Sequence, residues 1–315
     1  MKAFSELSAR EIDHIDLKRQ IDRDGYLMIR GLLPPKDIHA LMEDIAQVLQ
    51  AAGWLNPLQN PTDRIANEEA ACAEGDADYK RVSDEVFDLL TFHELPHHPV
   101  LQKVMKSIVG PHLLIHPKSA IRLIFPNFQK GIIHAHQDHT AVGGDEESYT
   151  AWLPLHNCSF HQGPLKILEG SHRYGLQTID QDTGYIPPGA ERGGEWVGGE
   201  INMGDVLIFH SLTVHEAAPN LSNQLRVSID CRFQSFDNPV NPGTLVFTGT
   251  SNRSWEDVYS RWDSNDLKYY WLKLPLTLKP SRQELAELAA TSESPKMRAR
   301  YARILERIQA PISVD

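Results

Sequence analysis

The run Ile132-Ile133-His134-Ala135-His136-Gln137-Asp138-His139 ends an apolar stretch in three histidines and a carboxylate. His136 and Asp138 stand two apart, so in an extended strand their side chains point to one side and Gln137 is directed away. Farther along, Gly204-Asp205 reads as a tight turn into Val206 to His210, and Ser211 to Val214 carry the chain to a further imidazole, His215. Two imidazoles and one carboxylate can occupy one face of an octahedral metal and leave the opposite face open, the arrangement of non-haem Fe(II) oxygenases. An HxD pair by itself is common, and a hydrogen-bonded His-Asp pair is the plain alternative.

The segment after His215 strengthens the metal reading. Leu225, Val227, Ile229, Cys231 and Phe233 share one face of a strand, and Arg226, Ser228, Asp230 and Arg232 share the other. A guanidinium buried on that polar face is costly without an anion. A dicarboxylate that chelates the metal at one end and meets Arg226 at the other supplies that anion through paired hydrogen bonds. Arg122 interrupts the apolar run Ala120 to Phe125, and reads either as part of a solvated face or as an anion clamp for cosubstrate or acidic substrate. In a regular strand His134 would share the face of His136, as an extra ligand or a pocket residue, whereas His139 would alternate away into a hydrogen-bonded loop position. Gln137 and His210 are expected behind or beside the ligands. Gly170-Ser171-His172 reads as a turn, with His172 satisfying nearby backbone.

The elements that must hold these residues change character along the chain. Helical patterns run over Ile12 to Asp22, Ile38 to Leu49, Val82 to Leu90 and Pro99 to Ile108, with a first strand at Tyr26 to Arg30 and an aperiodic loop from Asn56 to Asp78. Beyond Pro111 come short strands: Ala120 to Phe125, Tyr149 to Leu155, Leu165 to Leu168, Asp205 to His210 and Leu225 to Phe233. Helices followed by many separated strands predict a mainly β fold with flanking helices, an antiparallel barrel or jelly roll rather than a βαβ sheet. The aromatics after Asn238 read as core or oligomer contacts, or as a lid over the substrate, ahead of one polar helix from Ser281 to about Ile308. The expectation is a single domain over about 1–315: a helical buttress to about 112, a jelly-roll core over about 113–235, and an aromatic, helical extension from about 236.

Composition narrows the partners. A formal charge of −11 over 315 residues argues against a nucleic-acid surface. No apolar run approaches the roughly 18 residues that span a bilayer. The first ten residues lack a signal-peptide core, and Cys72, Cys158 and Cys231 have no CxxC spacing, so buried thiols in a reducing cytoplasm are expected. A small-molecule substrate, no nucleic acid, no membrane and a homodimer complete these expectations.

The chain resembles the phytanoyl-CoA dioxygenase family of Fe(II)/2-oxoglutarate oxygenases over roughly Gly25 to Phe233. The pieces that carry the resemblance are Asp24-Gly25-Tyr26, His136-Gln137-Asp138, Trp152-Leu153-Pro154-Leu155, Gly163-Pro164-Leu165, Gly170-Ser171-His172, Gly204-Asp205, and His215 to Asn220 followed by Arg226. The resemblance implies a double-stranded β-helix (cupin-like) core in which His136, Asp138 and His215 ligate iron. It further implies that Arg226 binds the distal carboxylate of 2-oxoglutarate and that Trp152 lines the cosubstrate pocket, with Ser228 on the same face as Arg226. The implied reaction is hydroxylation of a C–H bond with O2 and 2-oxoglutarate as cosubstrates and succinate and CO2 as coproducts; a carboxylate at Asp138 favours hydroxylation over halogenation. Gln162 departs from the asparagine often found before that glycine. Two other readings stay open at this level: a metal-dependent hydrolase or isomerase on a similar barrel, and a non-catalytic small-molecule-binding protein.

Overall fold

Alternation along the strands divides the core into two apolar layers separated by a sheet. The computed structural model describes residues 1–248 and 253–308, so residues 249–252 and 309–315 of the expected extension lie outside the described residues. In chain order the strands are β1 Glu6–Ser8, β2 Tyr26–Arg30, β3 Leu113–Ile115, β4 Ala120–Ile124, β5 Ser148–Pro154, β6 Leu165–Leu168, β7 Trp196–Gly198, β8 Val206–His210, β9 His215–Ala217 and β10 Arg226–Ser235. The helices are α1 Leu17–Asp24, α2 Pro35–Ala51, α3 Ala77–Phe87, α4 Leu90–Glu94, α5 Pro99–Val109, α6 His139–Val142, α7 Trp255–Tyr259, α8 Arg282–Thr291 and α9 Pro295–Arg307.

The larger sheet runs β1-β2-β8-β5-β10-β3, with β4 also pairing β10; the smaller runs β7-β6-β9. Between them lie Tyr26, Met28, Trp152, Leu165, Ile167, Leu207, Phe209 and Ala217. The residues that alternate with these, Leu27, Ile29, Ala151, Leu153, Ile208, Val227 and Ile229, join a second cluster with the apolar stripes of α2 and α5. This is the jelly-roll core buttressed by helices: two sheets enclose an interior, and helices cover the outer face of the larger one. Strand β10 therefore sends Val227, Ile229, Cys231 and Phe233 towards the helices and Arg226, Ser228, Asp230 and Arg232 towards the interior.

Local signals account for the helix ends. Gly25 closes α1 in the left-handed conformation (φ 83°) and donates its N–H to Ile21 O at 2.7 Å. Pro35 begins α2, where its missing N–H costs no helical bond. The single helix expected over 281–308 is broken, because Ser294 accepts from Met297 N as an N-cap and Pro295 starts a second helix. Three-residue strands β1, β3, β7 and β9 were not expected; each is too short to show an alternating pattern.

The aromatics after Asn238 pack as core. Trp255 donates to Leu245 O at 2.8 Å and Trp262 to Asp88 O at 2.9 Å. Both rings contact His93 of α4, and Trp255 also meets Phe87 of α3. Among the described residues no helix is long and apolar enough to cross a membrane.

Candidate metal centre

His136 and His215 face each other across a single antiparallel bridge, each N–H donating to the other's carbonyl at 3.0 Å. That pairing sets the imidazole centroids 4.2 Å apart. Beyond Gln137 the chain leaves the extended conformation. Asp138 has helical angles (φ −59°, ψ −32°) at the N-cap of α6, so the start of a helical turn delivers the carboxylate, correcting the regular-strand expectation. Its Oδ1 lies 3.9 Å from His136 Nε2 and 3.9 Å from His215 Nε2. One ligand atom from each residue falls within 4.8 Å of the others; an ion about 2.0–2.2 Å from each would draw the three inward to roughly 3 Å apart.

The backbone selects the ring nitrogens that face the ion. Nδ1–H of His136 donates to His134 O at 2.8 Å, and Nδ1–H of His215 to Thr213 O at 3.0 Å. Both Nε2 atoms thereby keep a lone pair towards Asp138. Burial, reinforced by His215, lowers the His136 pKa to about 3, which keeps that ring neutral. Burial alone would raise the Asp138 carboxyl; Arg232, the two imidazoles and a hydrogen bond from Thr150 outweigh it and hold the carboxyl below the usual carboxylate range. Thr150 Oγ1 donates to Asp138 Oδ2 at 2.5 Å, and Arg232 Nη2 stands 3.5 Å from Oδ1.

Deeper on the same interior face, the Arg226 side chain is fully buried. Its Nη1 donates to Gly163 O, while Nε and Nη2 have no partner. Ser228 Oγ and Trp152 Nε1 are also buried and unpaired. Burial pushes the Arg226 pKa down. A buried cation with spare donors, on an interior face that also holds an unpaired hydroxyl and indole N–H, fits a carboxylate, which accepts from such donors. Gly163, whose carbonyl Arg226 meets, sits at φ 73° hard against the backbone of 218–219, where a Cβ would lie 2.1 Å from Ala218 O.

Gln137 holds the ligand segment to its surroundings. Its amide donates to Leu212 O at 2.6 Å and Gly175 O at 2.9 Å, and its carbonyl accepts from Gln177 N at 2.7 Å. Ser171 Oγ accepts from Val214 N at 2.8 Å beside His215, and His172 Nε2–H donates to Asp22 O at 3.0 Å. The Gly-Ser-His turn is thus a brace for the third ligand. Gln162 closes a capping box with Ser159 and donates to Gln224.

Two expectations change. His134 is exposed and packs edge-on to Tyr185 at 5.3 Å, outside the ligand group, because the chain bends at Ala135 instead of continuing as a strand. His139 opens the short helix α6 instead of lying in a loop; its backbone N–H donates to Ser211 O at 3.1 Å, while its buried ring Nδ1 lacks a partner. Arg122 already meets two carboxylates, Asp230 at 2.8 Å and Glu74 at 2.6 Å. His210 accepts from Leu212 N at 3.1 Å and packs edge-on to Tyr149, outside the group His136, Asp138 and His215.

Sequence reasoning assigned no role to Thr150, Arg232 or Tyr185. Thr150 shares a strand face with Trp152 and Arg232 with Arg226, but what the two meet depends on the register between β5 and β10. Tyr185 lies in an aperiodic loop that Ile186 N ties to Ala135 O at 2.8 Å, and nothing in the pattern marks it. An apolar cavity of about 210 Å³ among Trp255, Trp271, Leu274 and Leu278 includes none of these residues.

Known proteins resemble this chain in sequence and in fold. A 1-deoxypentalenic acid 11-beta-hydroxylase from Streptomyces arenae is 28% identical over 243 residues, covering 70% of this chain and 81% of the hydroxylase. The human peroxisomal phytanoyl-CoA dioxygenase is 22% identical over 252 residues, covering 71% of this chain and 69% of that protein. A non-heme alpha ketoglutarate dependent carbocyclase from nogalamycin biosynthesis superposes with a TM-score of 0.54 at 19% identity, covering 75% of this chain and 89% of that one, a likeness of fold. Residues 21–228 match the family described as Phytanoyl-CoA dioxygenase (PhyH), and the chain belongs to that family.

Proposed function

We propose that His136, Asp138 and His215 hold Fe(II), that Arg226 with Ser228 and Trp152 receives 2-oxoglutarate, and that the protein hydroxylates a C–H bond of a small molecule. The observation that carries this reading is the buried Arg226, whose unpaired donors face the interior that also holds the triad. The metal and its cosubstrates, 2-oxoglutarate and O2, supply the oxidising chemistry when bound, with succinate and CO2 as coproducts. The chain's own part is positional. The Nδ1 bonds to His134 O and Thr213 O aim both imidazoles, and Thr150 orients Asp138. Arg226 fixes the far carboxylate, and the two apolar layers keep bulk water out.

Tyr185, whose ring centroid is 6.0 Å from that of His136, and the Arg122–Glu74 pair support substrate entry from this side. The Glu74 side chain is 72% exposed. It is therefore the partner that an acidic substrate would displace from Arg122, and a small molecule with a carboxylate and an apolar body suits this entrance.

Anaerobic titration with Fe(II) and 2-oxoglutarate should develop a weak visible charge-transfer band. Admission of O2 should then give succinate, and a substrate found by screening small metabolites should gain the mass of one oxygen. No band together with no iron-dependent binding of 2-oxoglutarate would overturn the reading.

A further inference from the structure

Arg232 is the guanidinium at this site that the proposed reaction leaves without a task. It lies on the inner face of β10, six positions beyond Arg226, with its side chain 13% exposed. Its Nη2 is 3.5 Å from Asp138 Oδ1, the oxygen that also stands 3.9 Å from both imidazole Nε2 atoms and is therefore the one a metal would take. Its Nε is buried without a partner. Asp230 offers little compensation, because its Oδ2 is committed to Arg122 at 2.8 Å and lies 4.0 Å from Arg232. Asp138 is thus the main counter-charge of Arg232.

Metal binding removes that counter-charge. A dication about 2 Å from Oδ1 sits at most about 5.5 Å from the guanidinium, near enough in a buried site for substantial repulsion. Asp138 does not depend on Arg232 for its orientation, because Thr150 holds the other oxygen at 2.5 Å. The guanidinium opposes the metal until a new anion reaches it, and its unpaired Nε marks a donor ready for one.

We propose that Arg232 is a positioning residue that makes metal binding depend on the arrival of a carboxylate beside the metal, at the end of the site opposite Arg226. The inference rests on the iron/2-oxoglutarate reading. The carboxylate belongs either to the metal-chelating end of the 2-oxo acid or to the substrate, and the test separates the two.

Co(II) serves as the metal probe, with its dissociation constant measured by calorimetry for the full-length parent, Arg232→Gln, Arg232→Lys, Arg226→Gln and Asp138→Ala. Each is measured alone and with 2-oxoglutarate, 2-oxovalerate (the same chelating end without a distal carboxylate) or hexanoate added over 2-oxoglutarate. Arg232→Gln is expected to bind Co(II) alone at least as tightly as the parent and to lose about tenfold of the tightening that 2-oxovalerate gives. Arg232→Lys should keep much of the tightening, and Arg226→Gln should keep it for 2-oxovalerate. If hexanoate tightens the parent and not Arg232→Gln, the carboxylate is the substrate's. Unchanged tightening by every acid in Arg232→Gln, or loss of Co(II) binding like that of Asp138→Ala in a folded variant, overturns the proposal. A parent that binds no Co(II), or ignores 2-oxoglutarate, instead sinks the iron/2-oxoglutarate reading itself.

Discussion

Replacing Arg226 with Met should make the ligand-free protein more stable while removing its response to 2-oxoglutarate. The guanidinium is fully buried, Nε and Nη2 have no partner, and the nearest paired group is the neutral Gly163 carbonyl. An uncompensated buried charge costs roughly 3–5 kcal/mol. Methionine fills similar volume without charge, but it strands the Gly163 carbonyl at a cost of about 1–3 kcal/mol. The balance is a gain of about 0–4 kcal/mol, centred near 2 kcal/mol. At about 2 °C per kcal/mol for a chain of this size, the centre of that range is a rise in Tm of about 4 °C. Ligand reverses the order. Parent protein with Co(II) and 2-oxoglutarate at a hundred times its Kd should gain about 2.7 kcal/mol. The variant lacks two charge-assisted hydrogen bonds of about 1.5–3 kcal/mol each, so its affinity should fall by at least about a hundredfold and its shift should nearly vanish. Thermal unfolding with Co(II), with and without 2-oxoglutarate, measures both halves. A variant that melts below the parent without ligand, yet gains as much from 2-oxoglutarate, would mean that Arg226 is already compensated in the free protein and does not meet the cosubstrate.

Thr150→Val keeps the shape of the side chain but frees Asp138 Oδ2 from its 2.5 Å bond; loss of such an outer partner should weaken Co(II) binding about 10–100-fold by calorimetry, opposite in sign to Arg232→Gln. Acid should destabilise the fold through buried neutral histidines. Burial lowers His93, His97 and His116 to about 4 and His156 to about 3, from 6.5. Because the unfolded chain takes up these protons first, stability is fully present above pH 6.5 and falls as the pH drops towards 4. Each histidine should cost about 1.4 kcal/mol by pH 5.5, about 5–6 kcal/mol for the four, so the urea midpoint should drop steeply between pH 7.5 and 5.5. An unchanged midpoint would show that these rings are protonated or solvated in the native state.

What the sequence made legible, and what it hid, follows from how side chains reach the site. The two faces of β10 were readable because one packs on helices and the other lines the interior, which leaves a clean alternation from Leu225 to Phe233. The ligand histidines were readable as types and spacing, but the backbone that presents them was not. Ile132 and Ile133 suggest a strand, yet the pairing there is the one bridge of His136 with His215, followed by a helical Asp138. That change of conformation removes His134 from the face of His136. The groups that act on Asp138 needed more than alternation. Arg232 and Thr150 are directly paired across β10 and β5, and that register brings both to the carboxylate. A slip of one residue would keep every pattern visible in the individual strands while turning one of the two away from the interior. Face can be read strand by strand, but register is a property of the pair. The residues that meet Asp138 therefore became visible only when the sheet was assembled, whereas the candidate ligands themselves could be named from the chain.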